Sequence, residues 1–456
     1  MIEFIRNKAK IFWAQTRGEI EPDRARLQPE AIQFHPSSYA DPHGRVFRRD
    51  GRLYRGVAAE KAVFCIQLFE TGVVDALVVK RLLVPTVRSP LKVEGYALVL
   101  EHTQVPFVSY PFEWPGELLR AAALHTLALL QELALHGLTL KDAHGWNVLF
   151  DGTRPVFVDF GSIVEVPAGH VWHAQVEQQF REYFLHPLEM MAAGRGRMAR
   201  ALLRDFEQGI GAEDCQTMLG LSGQPRGETG QSLPFSWYHD RIAALDLRPA
   251  ATAWSGYYDG AFPPLLPDAS WTLKHHAVQR LLQQYQPATV LDIGANRGWY
   301  ALLAAKEGAR VVAFDNDEVC INQLFRDASE GRLDVQPLVM SYVNPSPRYG
   351  IGHGVMESAA ERLQCDLVLG LALVHHMVFK MHLNFEQIAA GLAAYTKRTL
   401  IVEFPPAEDF HVSQWMSDRY SWYNLENFQA ALRVHFPKIN AVDSDPVPRV
   451  LLVCER

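Results

Sequence analysis

The sequence predicts an α/β protein: a C-terminal part built on a mostly parallel sheet covered by helices, preceded by an α+β part of different pattern. Three observations predict it. After residue 270, short β-branched runs alternate with helical stretches, as a parallel sheet with helical crossovers requires. A tight glycine turn joins the first of those runs directly to a helix. The first 235 residues lack this alternation and carry instead a long apolar helix, an Asp/Asn loop and an apolar hairpin.

At 456 residues the chain exceeds one ordinary hydrophobic core. The stretches 219–235 and 255–270, rich in Gly, Pro and Ser, read as seams. The expected organisation is a first domain over 1–235, a linker over 236–270 and a second domain over 271–456. In the first domain, 60–72 has helical spacing, 99–107 reads as a strand, and 117–137 reads as a buried helix, its apolar run broken by Arg120, His125, Gln131 and Glu132. In the second, helices are expected over 271–286, 297–308, 318–331 and 385–395. Strands are expected over 288–294, 310–315, 334–342, 365–373 and 399–404. The runs INAVD and RVLLVCE near the end suit an antiparallel hairpin at the sheet edge.

Composition narrows the function classes. Hydrophobic residues make up 48% and charged residues 21%, as in soluble globular chains. The net charge of −7 offers no field for a phosphate backbone, so nucleic acid is not an expected partner. Cys65, Cys215, Cys320, Cys365 and Cys454 form no C-x-x-C pair, which points away from zinc and disulfides and toward a reducing cytoplasm. No apolar run reaches about 18 residues, so no membrane span is expected. The oligomeric state leaves no trace in the sequence.

The sharpest chemical signal is VLDIGANRGWY at 290–300. Gly294 permits a backbone conformation closed to other residues, and Gly298 would let a ligand approach the main chain. The spacing is not the G-x-G-x-x-G of dinucleotide enzymes. An acid two positions before the first glycine, Asp292, suits a phosphate-free ligand with a cationic amino-acid end. Asp315 ends the second strand, where a carboxylate can accept ribose hydroxyls; Asp317 is a nearby substitute. A plain βαβ turn with a solvated Asp is the competing explanation.

This segment resembles the cofactor loop of class I methyltransferases, a Rossmann-like family using S-adenosylmethionine. The resemblance implies that Asp292, Gly294, Ala295, Asn296 and Gly298 surround the amino-acid moiety, that Asp315 and Asn316 meet the ribose, and that Ser341 and Leu371 flank the cofactor. Many relatives carry an acid where this chain has Ser341. More of the chain, including LALVHHM, IVEFPPAEDFHV and, in the first half, VLEHTQVPFVSYPFEW, resembles the NoeA-like nodulation proteins among bacterial methyltransferases.

His375 and His376 follow the fourth strand, and Glu403 ends the fifth, with Asp409 beyond it. Carboxyl edges of open α/β sheets bind ligands, so these are the candidate catalytic residues, for acceptor positioning or proton removal. Structural hydrogen bonding and metal binding are the rival roles; the spacing matches no specific metal pattern, and no metal is assigned.

In the first half, Asp142 and Asn147 are followed by an apolar hairpin and Asp159-Phe160-Gly161. This resembles the catalytic loop and D-F-G turn of kinases, which implies ATP and magnesium. Leu140-Lys141 stand where kinases have His-Arg. Residues 40–100 contain no phosphate-binding glycine loop and no V-A-I-K strand, and Lys80 is the nearest lysine candidate. Turn stabilisation by Asp and Asn is the bland alternative.

The leading expectation is thus a methyltransferase using S-adenosylmethionine, acting on oxygen of a glycan or other polar small-molecule acceptor. A bifunctional kinase-methyltransferase modifying one acceptor and a non-catalytic binding or scaffold protein are the alternatives.

Overall fold

The computed structural model describes residues 27–38, 41–166, 174–220, 232–254, 256 and 262–456. Most of the 219–235 seam, and part of the 255–270 seam, lie outside the described residues. The chain forms two compact units, 1–104 and 105–456. The division falls inside 99–107, the segment read from sequence as a strand. The change of pattern at 236–270 falls inside the second unit, where Ser109, Glu113 and Glu117 bond to Gln336, Arg362 and Asn322.

The first unit is a five-stranded antiparallel sheet: β1 (Gln33–Phe34), β2 (Gly44–Arg49), β3 (Arg52–Val57), β4 (Thr86–Arg88) and β5 (Leu98–His102), in the order β1-β2-β3-β5-β4. Arg49 pairs with Arg52 across a two-residue Asp50-Gly51 turn, both residues at positive φ, as a tight hairpin demands. Phe47 and Tyr54 stack at 5.4 Å beneath the sheet. The helices Ala59–Glu70 and Val73–Val79 connect β3 to β4. Lys80 caps the second of them, so it is on no strand.

The second unit opens with the helix Gly116–Ala134, whose Leu118, Leu119, Ala122, Leu127, Leu130 and Leu133 are buried. β6 (Leu138–Leu140) pairs with β9 (Ile163–Glu165), and β7 (Val148–Asp151) with β8 (Arg154–Phe157). After the helix Leu273–Tyr285 come β10 (Thr289–Ile293), β11 (Arg310–Asp315), β12 (Val335–Val339), β13 (Cys365–Gly370), β14 (Thr396–Phe404), β15 (Lys438–Asp443) and β16 (Val450–Glu455). They form one sheet in the order β12-β11-β10-β13-β14-β16-β15, parallel through β14. β16 runs antiparallel between β14 and β15, so the expected hairpin is present and its second strand is internal.

Helices cover both faces. Val290, Val311, Leu367 and Ile401 join a core with Trp299, Leu303 and Val278, while Phe404 on the other face packs on Phe385 and Phe428. Strands buried on both sides read as near-continuous apolar runs, which is why they were legible. The second unit is thus an open, mostly parallel sheet with helices on both faces, preceded by a long helix and two small antiparallel strand pairs, the α/β architecture expected from the sequence. Among the described residues no single helix is long and apolar enough to cross a membrane.

Candidate functional site

The turn that follows β10 lies at the carboxyl edge of the sheet, beside the point between β10 and β13 where the strand order switches direction. Gly294 (φ 70°), Asn296 (φ 52°) and Gly298 (φ 73°) are left-handed, and the helix Trp299–Lys306 begins at once. A β-carbon at Gly298 would meet Leu324 at 2.4 Å, and one at Gly294 would meet Leu373 at 3.0 Å. Glycine at 298 is therefore required by the backbone and by Leu324, and the room beside it is already filled by that leucine.

Asp315 is held by its neighbours. The Asn296 N–H donates to its Oδ2 at 2.8 Å and the Asp317 N–H to its Oδ1 at 2.9 Å. Each oxygen keeps a lone pair for a further donor. Asp317, the alternative acid, caps the helix Glu318–Gly331 by accepting from Val319 and Cys320, and also takes the Thr252 hydroxyl. Its oxygens are committed.

Asp292 is buried on β10, and burial together with the Asp315 carboxylate pushes its carboxyl up to about 7. Burial raises Asp315 as well. Among the described residues neither acid is paired with a cation, so the turn presents two carboxyls whose ionisation a cationic ligand would favour. Asn316 is exposed next to them and lines a cavity of about 390 Å³ with Arg197, Arg200, Thr252 and Trp254. The Met340 N–H donates to the Asp315 carbonyl, bringing the end of β12 and Ser341 alongside. Leu371 is buried just past β13. Ala295 is buried within the turn.

His375 and His376 lie on the short helix Val374–Phe379. Their rings are 4.2 Å apart, and Nδ1 of each is buried without a hydrogen-bond partner. Burial, His376 and Arg449 bring His375 down to about 3; burial, Lys380 and His411 bring His376 down to about 4. Both imidazoles are neutral at pH 7.

Glu403, at the end of β14, is wholly buried and fully engaged. Its oxygens meet Lys274 Nζ at 3.2 Å, the Ser444 hydroxyl at 2.9 Å, the Ala372 N–H at 2.9 Å and Arg449 at 3.6 Å. Arg449 also binds Asp409 at 2.7 Å. The edge thus gathers two imidazoles and two carboxylates, but Lys274 and Arg449 neutralise both acids. Sequence reasoning missed these two cations because their partners lie far off along the chain. Among the described residues no group of three or more His, Cys, Asp or Glu is placed to hold a metal ion.

The second constellation also comes together. Asn147 Nδ2 donates to the Asp142 carbonyl at 3.4 Å, and Ser162, just past the Asp159-Phe160-Gly161 turn, bonds the Asp142 backbone through its hydroxyl. Asp159 accepts from the Gly161 N–H at 3.1 Å. His144 is buried within the influence of both Asp142 and Asp159. In the first unit, β3 carries Arg52 and Arg55 and no lysine, and Arg55 is paired with Asp41 at 2.9 Å.

No protein-family model matches the chain. It is 27% identical over 468 aligned residues to the nodulation protein NoeA of Rhizobium meliloti strain 1021, covering 92% of this chain and 95% of that protein. Similar solved structures include the bifunctional kinase-methyltransferase WbdD, with 20% identity and a TM-score of 0.29. That match covers 39% of this chain and 38% of WbdD. Another is magnesium protoporphyrin IX methyltransferase of Synechocystis PCC 6803 with bound SAM, with 14% identity and a TM-score of 0.29 over 46% and 99% of the two chains. The similarity to NoeA thus runs over most of the chain's length.

Proposed function

We propose that the chain transfers a methyl group from S-adenosylmethionine to an oxygen of a polar small-molecule acceptor, a glycan above others, in the cytoplasm. The division proposed for this is a kinase-like part over 1–235, a linker over 236–270 and the methyl-transfer domain over 271–456. One observation carries the reading: a buried carboxyl, Asp292, and a half-buried one, Asp315, flank a left-handed glycine turn at the sheet's carboxyl edge with no cation among the described residues to balance them. Asp292 would face the cofactor's amino-acid end, and Asp315, already oriented by two N–H donors, would accept ribose hydroxyls. When bound, the cofactor supplies a sulfonium-activated methyl group. The protein then has to align the acceptor oxygen in line with it and receive or pass on a proton. His376 is the residue proposed for that positioning, since Glu403 is spent on Lys274 and Arg449.

Calorimetry with S-adenosylhomocysteine tests the reading. The unmodified chain should bind it, and Asp315→Ala should lose the binding while keeping its thermal transition. Folded protein with no affinity for the compound would end the enzymatic account in favour of the scaffold alternative.

A bifunctional kinase-methyltransferase is the second reading, favoured by the convergence of Asp142, Asn147 and Asp159. The absence of a lysine on β3 opposes it. ATP with magnesium should then raise the melting temperature of the unmodified chain and not of Asp159→Ala; no effect on either would discard it.

A further inference from the structure

Beside the histidine pair lies an aromatic surface that no step above uses. The Trp254 ring stands edge-on to His376 at 5.3 Å, and its carbonyl accepts from Asn296 Nδ2 at 3.4 Å, which fixes it next to the glycine turn. Trp415 lies parallel to His375 at 5.9 Å and 5.6 Å from His376. Lys380 Nζ sits 5.5 Å and 5.0 Å from the two indole centres, within cation–π range of each. Among the described residues no carboxylate is paired with it.

Three features of this surface define what fits. It is open, with Trp254 42% exposed. It carries one positive charge, the Lys380 ammonium, which among the described residues no carboxylate offsets. It is not a slot: the indoles meet the plane of His376 at 88° and 55°, so they cannot be parallel, and a flat aromatic ring could not be sandwiched between them. The buried Nδ1 atoms of His375 and His376 have no partner in the protein, and an unpaired buried polar atom is costly unless something binds it.

We infer that Trp254, Trp415 and Lys380 form the acceptor subsite, and that it takes a pyranose bearing a negative charge. The puckered ring lays its apolar face on an indole, and its anionic group meets the Lys380 ammonium. A carboxylate and a phosphate would serve Lys380 equally. The inference rests on the proposed methyl-transfer reading, because Trp254 adjoins the acceptor side of that cofactor turn.

Tryptophan fluorescence of the full chain, saturated with S-adenosylhomocysteine, would be titrated with methyl glucuronide, glucose 6-phosphate, methyl glucoside and benzoate. At least one charged sugar should give a saturable change, with the neutral glucoside about tenfold weaker, as expected for loss of one charge-assisted contact. Lys380→Met should abolish that preference while its S-adenosylhomocysteine affinity, read by calorimetry, stays unchanged. The preferred sugar tells carboxylate from phosphate. No saturable response to any sugar, equal binding of the neutral one, benzoate binding as tightly as the sugars, or an unaltered preference in Lys380→Met would each overturn the subsite. If S-adenosylhomocysteine itself failed to bind, the reading beneath it would fall first, so the two failures are distinguishable.

Discussion

Asp292 shows how burial turns a single side chain into a measurable property. Its carboxyl ionises near 3.8 in the unfolded chain and at about 7 in the fold. Between those values the folded protein holds a proton that the unfolded chain has released, so stability without ligand falls as pH rises from about 4 to about 7 and is level above. Three units correspond to at most about 4 kcal/mol. Asp292→Asn should flatten this dependence in melting experiments. A ligand ammonium group prefers the ionised acid, so S-adenosylhomocysteine, through its amino group, should bind more tightly as pH rises to about 7, by no more than about tenfold per unit. A flat affinity profile between pH 5.5 and 8 would contradict the role given to Asp292. The Asp and the glycines were readable in the sequence because strand, turn and helix are contiguous there. The neutrality of the histidines was not, since it comes first from burial and then from charges such as Arg449 that reach them from another part of the chain.

Among elements, the short helix Ala359–Arg362 and the 3-10 turn Pro111–Glu113 are joined by an ion pair with almost no exposure on either side. Glu113 also accepts from the Tyr110 N–H at 2.8 Å and the Ser346 hydroxyl at 2.6 Å, and the Arg362 guanidinium lies 3.9 Å from the Tyr110 ring centre. Removing one partner strands a buried charge, which typically costs about 3–5 kcal/mol. Arg362→Met should lower the melting temperature markedly, and Glu113→Leu added to it should restore much of the loss. A double variant no better than the single one would show that the pair's partners, and not its charge balance, matter. Long periodic elements were legible: the strand 310–315 and the helices 318–331 and 385–395 have the bounds their spacing predicts. Val374–Phe379 was not, because its apolar residues run on from β13 without a turn signal. β14 starts at Thr396, directly after a helix, where the Thr396 hydroxyl bonds the Leu392 carbonyl at 2.8 Å.

For the molecule as a whole, the stretch that follows residue 104 belongs with the seven-stranded sheet. Ser109 accepts from Gln336 on β12 at 2.6 Å, the Glu117 N–H donates to Asn322, and the Glu117 carboxylate meets Arg326. Cutting at 270/271 would remove every one of these partners and leave Arg362 buried without Glu113. A fragment 105–456 should therefore keep a cooperative thermal transition, and 271–456 should lose it or aggregate. A stable 271–456 fragment with native-like melting would show that the two halves fold independently.

By itself the sequence determined the sheet, its helices and the glycine turn, because short-range periodicity and glycine stereochemistry are written in neighbouring residues. Tertiary structure decided which acid is free, Asp315 and not Asp317, that Glu403 is bound by two cations, and where the compact units divide. Those outcomes depend on burial and on charges brought together from distant segments, and local spacing carries no information about either.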